Sequence, residues 1–432
     1  MEYEYSDKQK DVLRAVTKNK LGFINILDGS VRSGKTFISN LAWCIFVLES
    51  PHDTFLMSGE STDSLYRNVI ADVIQILGTK RATYKDSAKG GAQLEIIYNG
   101  QTKICYCRGG SKSNDEGKIR GITIGGWYAD EITLHHKDFI KQAIARMSLK
   151  GAKALWTTNP DSPYHPIKVE YIDKCDANGY RRWHFILEDN LTLGDEYKEN
   201  IKKAYSGLFY DRFIKGLWVL AQGIIYDMFS RENNVVPTVY RAYTKRYVSI
   251  DYGTQNPTTF GMYSLWGKQW YKEKEYHHSG REERLQKTDE EYANDLEKFV
   301  DNDKNIEIIV DPSAASFIAV LRQRKFKVRK ANNDVLNGIL NTSTVIKNKT
   351  ILFNDCNIRT FKEFETYIWD DKATLKGEDK PVKENDHHMD NLRYFVNTIL
   401  KQNQKPYSEA VNSQGLGVRK ESSWRKKGSA IF

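Results

Sequence analysis

The apolar residues of the first 190 positions follow two alternating patterns. Short runs rich in β-branched and aromatic residues, which are typical of strands, alternate with longer stretches whose apolar positions recur at helical spacing. Because strands and helices alternate, we expect a mostly parallel α/β sheet covered by helices. The pattern predicts helices over 35–49 and 61–77, and strands over 22–27, 54–57, 93–98, 104–107, 122–128 and 152–157.

The pattern changes near residue 194 and again near 241. Between these points the chain is helical and aromatic with few Gly or Pro residues, which predicts a packed connector. Closely spaced strands then predict an antiparallel meander, followed by a helix, a strand and two helices. The predicted strands cover 246–251, 258–266, 269–277 and 306–311, and the predicted helices cover 289–301, 314–324 and 388–400.

This organisation predicts two domains. We expect a first domain over 1–193, a connector over 194–240 and a second domain over 241–410. The segment 411–432 is rich in Ser, Gly and Lys, and we expect it to be a disordered basic tail.

Composition narrows the class of protein. The chain has 432 residues and a formal net charge of +9. Its longest apolar run, 41–48, is shorter than the roughly 18 residues that a membrane helix needs, and the charged N-terminus lacks the apolar core of a signal peptide. The segment 320–350 holds eight basic residues and one acidic residue, which is typical of a polyanion-binding surface or of a solvated basic face.

A phosphate-binding motif lies between the first predicted strand and the helix after it. The sequence GSVRSGKT satisfies G-x4-G-K-[ST], the signature of a P-loop NTPase. With the mostly parallel sheet, we expect the domain to be RecA-like. In such loops backbone N–H groups surround the phosphates, the lysine contacts the β- and γ-phosphates, and the hydroxyl residue binds Mg²⁺. The predicted ATP-binding residues are Gly29, Ser30, Arg32, Ser33, Gly34, Lys35 and Thr36.

An acidic pair follows the strand predicted over 122–128. We expect Asp130 to hold Mg²⁺ and Glu131 to act as the general base that orients the attacking water. The segment 157–160, TTNP, follows the next strand, where it is either a γ-phosphate sensor or an ordinary turn.

Three further residues are candidates for the nucleotide site. Gln9, on a predicted helix, is a candidate adenine ligand. Multimeric ATPases often use an arginine to neutralise charge in the transition state. Arg146 and Arg32 are both candidates for that role, and a surface ion pair is the alternative for Arg146.

The second half carries acids at the ends of predicted elements. Asp251 and Asp311 each end a strand, and Asp390 lies on the last helix, with His387 one turn before it. Meander, helix, strand and final helix in this order are typical of RNase H-like nucleases, whose carboxylates bind two metal ions for phosphodiester hydrolysis. His388 competes with His387, and Asp386 with Asp390, as the residue that faces the metal.

Together the two halves resemble the large terminase subunit of tailed bacteriophages, in particular the family of Gram-positive siphophages. The resemblance covers about residues 1–405. It rests on GSVRSGKT, IRGITIGGWYADE, LWTTNP, GLFYDRFIKGLWVLAQGIIYDMF, VSIDYG, IIVDPS and DHHMDNLRYF.

The resemblance implies a fold, activities and partners. It implies a P-loop ATPase followed by an RNase H-like nuclease, with Lys35, Thr36, Asp130 and Glu131 at the motor site and ATP with Mg²⁺ as cofactor. Two Mg²⁺ or Mn²⁺ ions would bind at the nuclease site. The implied partners are double-stranded DNA, a portal ring, a small terminase subunit and further copies of the chain on a procapsid, in the cytoplasm of an infected bacterium. The alternatives are a helicase-like or repair ATPase with a nuclease domain, and a non-catalytic DNA-binding assembly subunit.

Overall fold

The computed structural model describes residues 4–88, 90–253 and 256–400. Contacts between residues divide this part of the chain into two compact units. The first comprises 4–234, 346–350 and 361–386, and the second comprises 235–345, 351–360 and 387–400. The expected tail, 411–432, lies outside the described residues. No described helix is both long and apolar enough to cross a membrane.

The first unit is built on an eight-stranded sheet in the order β3-β4-β5-β2-β6-β7-β1-β8. Every neighbouring pair from β5 to β8 in this order is parallel, and only β3 and β4, at one edge, are added in antiparallel fashion. This confirms the expected mostly parallel α/β sheet. Its strands are β1 Ile24–Gly29, β2 Thr54–Gly59, β3 Ala82–Lys85, β4 Gln93–Tyr98, β5 Gln101–Gly109, β6 Gly126–Ala129, β7 Lys153–Thr158 and β8 Arg181–Phe185.

Helices cover both faces of this sheet. Along β7, Leu155 packs into one apolar cluster while Ala154 and Trp156 pack into another, because successive side chains of a strand point to opposite faces. A π-helical turn, Tyr66–Ile70, interrupts the helix expected over 61–77. The helices up to residue 234 are α1 Asp7–Thr17, α2 Lys35–Glu49, α3 Thr62–Leu65, α4 Ala71–Leu77, α5 Lys137–Arg146, α6 Asp195–Lys203, α7 Gly207–Phe213 and α8 Arg231–Asn234.

The second unit is built on a seven-stranded sheet in the order β14-β13-β10-β11-β12-β15-β9. Its centre is the expected antiparallel meander of β10, β11 and β12, and the strands on either side are added in parallel. The strands are β9 Val235–Val236, β10 Lys245–Asp251, β11 Thr258–Trp266, β12 Gln269–His278, β13 Glu307–Val310, β14 Lys327–Lys330 and β15 Ile351–Asn354.

Two helices pack on one face of this sheet, and the last helix contacts β10 and β11. The last helix begins at His387 and continues beyond Phe395 as a π-helical turn, Val396–Leu400. The helices after residue 235 are α9 Asp289–Phe299, α10 Ala315–Gln323, α11 Val335–Lys347, α12 Ile358–Thr366, α13 Asp371–Thr374 and α14 His387–Phe395.

Residues 361–386 belong to the first unit although they lie late in the chain. Phe364 stacks on Phe229 with ring centroids 4.0 Å apart, and Tyr367 stacks on Tyr226. Arg212 of α7, itself buried, forms ion pairs with Asp379 and with Asp161. The connector expected over 194–240 is part of the same compact unit up to residue 234. The expected domain boundaries stay a prediction, because compactness describes contacts and not independent folding.

Candidate functional site

The P-loop joins the end of β1 to the start of α2, and its glycines have no substitute. Gly29 has a φ of 137°, and a Cβ there would lie 1.8 Å from the carbonyl oxygen of Phe185. Gly34 has a φ of 85°, and a Cβ there would lie 2.7 Å from Nε2 of Gln9. The loop backbone is anchored by the Ser30 N–H, which donates to the Phe185 carbonyl at 2.9 Å. A side chain is therefore excluded at Gly29 by the Phe185 backbone and is strained at Gly34 by the positive φ.

Lys35 is buried beneath this loop. Its Nζ donates to the carbonyl of Ser30 at 3.0 Å and to Oδ1 of Asn159 at 2.6 Å. Burial lowers the pKa of Lys35, and the nearby carboxylates of Glu131 and Asp130 oppose that shift. Thr36 follows as the second residue of α2, and the buried Ser33 hydroxyl donates to the Ser30 carbonyl at 2.8 Å.

The acidic pair directly follows β6. Asp130 accepts hydrogen bonds from the Thr157 hydroxyl at 2.9 Å and from the side chain of Asn68 at 3.2 Å. Glu131 has a φ of 52° and accepts from both the backbone N–H (3.0 Å) and the side-chain amide (2.9 Å) of Asn159. Burial raises the pKa of both carboxyls. For Glu131, the charge of Lys35 acts in the opposite direction.

Sheet topology explains why these residues meet. β6, β7 and β1 are adjacent and parallel, so their carboxyl ends lie at one edge of the sheet. The acids follow β6, Asn159 follows β7 and the P-loop follows β1. The structure thus brings the lysine, both acids and the TTNP segment together.

Two buried polar atoms at the loop have no hydrogen-bond partner in the described part of the chain. They are Nε2 of Gln9 and the hydroxyl of Ser30. Gln9 is held by a capping box, in which its Oε1 accepts from the Ser6 N–H at 3.0 Å. The N–H₂ group of the same amide therefore faces the P-loop at Gly34. Unpaired buried donors of this kind fit a site that binds a polar ligand. The residues present therefore fit a nucleotide.

The two candidate arginines occupy different edges of the sheet. Arg146 ends α5, and its carbonyl accepts from Ile124 N–H, just before β6 begins. That is the edge opposite the P-loop, so the structure does not bring Arg146 to the nucleotide site of its own chain. Arg32 lies in the loop with a φ of 57°, and its charge contributes to the lowered pKa of Lys35.

A fully buried carboxylate next to the P-loop was not predicted from the sequence. Asp28 accepts two hydrogen bonds from Arg182, at 2.7 and 2.8 Å, one from Trp218 at 2.9 Å, and contacts His184 Nδ1 at 3.1 Å. Although burial acts in the opposite direction, Arg182 and His184 hold the pKa of Asp28 well below its usual range. Asp28 thereby fixes the strand end from which the P-loop starts. Its partners lie far along the chain, so no local pattern reveals them.

In the second unit, two of the expected acids lie close together. Asp251 ends β10 and Asp311 directly follows β13, and these strands are parallel neighbours. The hydroxyl of Tyr394 donates to Asp311 Oδ2 at 3.0 Å and lies 3.5 Å from Asp251 Oδ1. His387 Nδ1 lies 2.8 Å from Asp251 Oδ2. Burial raises the pKa of Asp311, but hydrogen bonds from Ser313 and Tyr394 outweigh it, so that the net shift is downward.

The competing histidine and aspartate have other partners. His388 is fully buried and stacks on His277, with Nε2 lying 3.2 Å from Nδ1 of that ring. Burial lowers the pKa of His388 well below the usual value. Asp386 lies 3.3 Å from the ammonium of Lys383. Of the two histidines, it is therefore His387 that contacts Asp251.

The third expected acid contacts an arginine of its own helix. Asp390 accepts through Oδ1 from Arg393 at 2.8 Å. No group of three or more His, Cys, Asp or Glu side chains among the described residues is arranged to hold a metal ion. Asp251 and Asp311 share one hydroxyl neighbour, and the place of Asp390 in the expected ligand set stays a prediction. Carboxylate oxygens are the ligands that Mg²⁺ and Mn²⁺ prefer, so these two acids fit a divalent ion.

The chain is similar to known proteins over most of its length. The family model described as terminase large subunit, T4likevirus-type, N-terminal, matches residues 26–233. The large terminase from a thermophilic bacteriophage is 47% identical, covers 92% of this chain and 100% of its own, and has a TM-score of 0.86. Two structures of the same protein, in complex with ADP (46% identity) and with ATP-gamma-S (47% identity), each have a TM-score of 0.82. Both also cover 92% of this chain and 100% of their own. No curated protein sequence matches the chain. This identity over nearly the whole chain shows that it belongs to the large terminases of tailed bacteriophages, a family of DNA-packaging proteins.

Proposed function

We propose that the chain is a packaging-motor subunit that hydrolyses ATP to move double-stranded DNA into a procapsid and cuts the DNA with a metal-dependent nuclease site. The observation that carries the motor half is the contact network of Lys35, Asn159 and Glu131 beneath a complete P-loop. The complexes of the similar thermophilic-phage large terminase with ADP and with ATP-gamma-S support nucleotide binding here.

Each residue of the first site has a role in hydrolysis. The ammonium of Lys35 would exchange its bonds to Ser30 and Asn159 for bonds to the β- and γ-phosphates. Thr36 and Asp130 would hold Mg²⁺, which supplies neutralisation of phosphate charge. Glu131 would orient water and accept its proton. Burial raises its pKa above the usual glutamate value, which makes the carboxylate a stronger base.

Asn159 gives the site a means of sensing the phosphate. Its Oδ1 accepts from Lys35 while its two N–H groups donate to Glu131. When Lys35 turns to a phosphate, Asn159 loses one partner and keeps the other. The position of this residue, and of the loop that continues to Asp161, would therefore depend on whether the γ-phosphate is present.

The nuclease half rests on the acids at the ends of β10 and β13. Asp251 and Asp311, assisted by His387, would hold Mg²⁺ or Mn²⁺, and Asp390 would complete the ligand set for two ions. These ions supply an activated water and charge neutralisation at the phosphodiester. The Oδ1 atom of Asp390 accepts from Arg393, which would hold this carboxylate in one orientation.

A basic edge of the second sheet supports DNA as the substrate. We define this basic edge as Arg322, Lys325, Lys327 and Lys330, which are all exposed at the end of α10 and on the edge strand β14. Arg324 and Arg329 in the same stretch are paired with Glu290 and Glu307, so they contribute less to the surface charge. Family membership further supports a portal ring, a small terminase subunit and other copies of the chain as partners in the host cytoplasm.

Two variants test both halves against each other. We expect the wild-type protein to nick supercoiled plasmid in Mn²⁺ and to hydrolyse ATP. Asp251→Ala should lose cutting and keep ATP hydrolysis, and Lys35→Ala should do the reverse, so each variant is the folding control of the other. Cutting by Asp251→Ala would contradict the nuclease assignment, and hydrolysis by Lys35→Ala would contradict the motor assignment. A wild-type protein with neither activity would favour a non-catalytic assembly subunit.

A further inference from the structure

One face of α14 is directed at the nuclease acids. His387, Asp390 and Tyr394 are spaced by three and four residues, which places them on the same side of a helix. His387 contacts Asp251, and Tyr394 contacts both Asp251 and Asp311. The phenol ring of Tyr394 is buried, with 4% of the residue exposed, so its hydroxyl is held in place by packing.

The two carboxylates are each held at both oxygens. Asp311 accepts from the backbone N–H of Ser313 at 2.7 Å through Oδ1 and from Tyr394 through Oδ2. Asp251 contacts His387 through Oδ2 and Tyr394 through Oδ1. The Tyr394 hydroxyl thus lies between the two acids and contacts both of them.

We propose that Tyr394 is a positioning residue of the nuclease site, whose hydroxyl holds Asp251 and Asp311 in the orientation that binds divalent ions. This inference rests on the proposed nuclease function. Two neighbouring carboxylates repel each other, and a hydroxyl between them offsets part of that repulsion. Groups that orient metal ligands in this way typically raise metal affinity about 10–100-fold.

The residue before Tyr394 has a related contact. Arg393 donates to Asp390 through Nη2, and its Nη1 donates to the carbonyls of Asn333 and Asp334 at 3.0 and 3.2 Å. Two consecutive residues of α14 therefore contact the three acids. Arg393 contacts Asp390, and Tyr394 contacts Asp251 and Asp311. Because Arg393 is buried and spans two segments, its removal would disturb packing, and Tyr394 is the better subject for a test.

The chain offers a matched control. Tyr263 is also buried, and its hydroxyl donates to Asn391 of α14 at 2.7 Å. Tyr263→Phe therefore removes a hydroxyl that supports the same helix and contacts a neutral amide, whereas Tyr394→Phe removes one that contacts the acids.

The experiment measures Mn²⁺ binding to nucleotide-free full-length protein by electron paramagnetic resonance titration, with the binding that remains in Asp251→Ala subtracted. We expect Tyr394→Phe to weaken Mn²⁺ binding about 10-fold and Tyr263→Phe to change it less than about 2-fold. Plasmid cutting by Tyr394→Phe should recover at high Mn²⁺, and ATP hydrolysis should be unchanged in both variants. Equal Mn²⁺ affinity in wild type and Tyr394→Phe would overturn the inference.

Two further outcomes separate the inference from the proposed function. Equal weakening by both variants would assign the effect to the packing of α14 and also overturn the inference. In either case the nuclease assignment would stand if wild-type protein cuts plasmid and Asp251→Ala does not. A wild-type protein that neither binds Mn²⁺ nor cuts DNA would overturn both.

Discussion

Asn159 donates two hydrogen bonds to the carboxylate of Glu131, from its backbone N–H at 3.0 Å and from its side-chain amide at 2.9 Å. The same side chain accepts from Lys35 at 2.6 Å. One residue at the end of β7 therefore aligns the proposed base and the phosphate-binding lysine. Such alignment matters most in the transition state, where the base must be in line with the attacking water.

We expect Asn159→Ala to lower kcat for ATP hydrolysis about 100-fold, because Glu131 loses the side-chain amide that helps to orient it and keeps only the bond from the backbone N–H. ADP affinity should change much less, since most phosphate contacts come from the loop backbone. Steady-state hydrolysis and ADP titration measure the two effects. Asn178→Ala, at an exposed turn, is the control and should behave as wild type. An unchanged kcat in Asn159→Ala would contradict the proposed role.

Gln9 should contribute to nucleotide affinity through Nε2. Gln9→Glu keeps the oxygen that accepts from Ser6 but replaces the unpartnered N–H₂ donor with an acceptor. We expect ADP binding to weaken about 10-fold, since a lost or unpaired buried hydrogen bond costs ~1–3 kcal/mol. Isothermal titration calorimetry measures this, with the exposed Gln75→Glu as control. Wild-type affinity in Gln9→Glu would contradict a contact between Gln9 and the nucleotide.

The Asp28 carboxylate should stabilise the first unit. Asp28→Asn leaves Arg182 without its buried anion, and we expect a loss of about 2 kcal/mol near neutral pH after allowing for the partial exposure of Arg182. That loss corresponds to a fall of about 5 °C in the unfolding temperature of this unit. Asp173→Asn, which removes a half-exposed ion pair with Lys168, should lower it by about 1 °C or less.

The pH dependence of this effect has a definite sign. The pKa of Asp28 is depressed in the folded protein, so its stabilising effect is complete above the ordinary aspartate pKa of about 4. It is lost as the pH falls from there towards the folded value. Differential scanning calorimetry from pH 7 to pH 3 should show the difference between wild type and Asp28→Asn shrinking. A difference that grows on acidification would contradict this account.

The basic edge should contribute to DNA affinity through counterion release. We expect Lys327→Ala with Lys330→Ala to weaken binding and to reduce the slope of log affinity against log salt by about 2, at ~0.9 for each phosphate contact. Lys245→Ala with Lys268→Ala is the matched control, because both lysines are exposed at the end of the meander opposite Asp251. Fluorescence anisotropy at several salt concentrations measures the slopes. Equal slopes for wild type and the β14 variant would leave this edge as a solvated face.

Local patterns predicted the P-loop well, since its chemistry is encoded in eight consecutive residues and confirmed by the strand and helix around them. The helix over 35–49 and the strands over 93–98 and 258–266 were predicted with their observed bounds. Helix α11 was not predicted, because its sequence contains β-branched residues and Gly338. The structure explains that glycine, since a Cβ there would lie 2.5 Å from Cγ of Arg393.

Contacts between distant segments could not be predicted. Arg182 and Trp218 meet Asp28 only because β8 adds beside β1 and the chain after α7 returns to it. Tyr394 stands in the quoted DHHMDNLRYF motif, and its helical spacing from His387 was the signal that could have placed it at the site. Arg146 was a candidate from proximity in sequence to the acidic pair, but α5 carries it to the other edge of the sheet.

The packing of residues 361–386 has a consequence for fragments of this protein. A recombinant fragment that starts at residue 241 would include Phe364 and Tyr367 but lack Tyr226 and Phe229, on which they stack. Aromatic side chains that are nearly fully buried in the intact chain would then face water, where they promote aggregation. A fragment that starts before Tyr226, or one with 361–386 replaced by a short polar loop, should remain soluble where the simpler fragment precipitates.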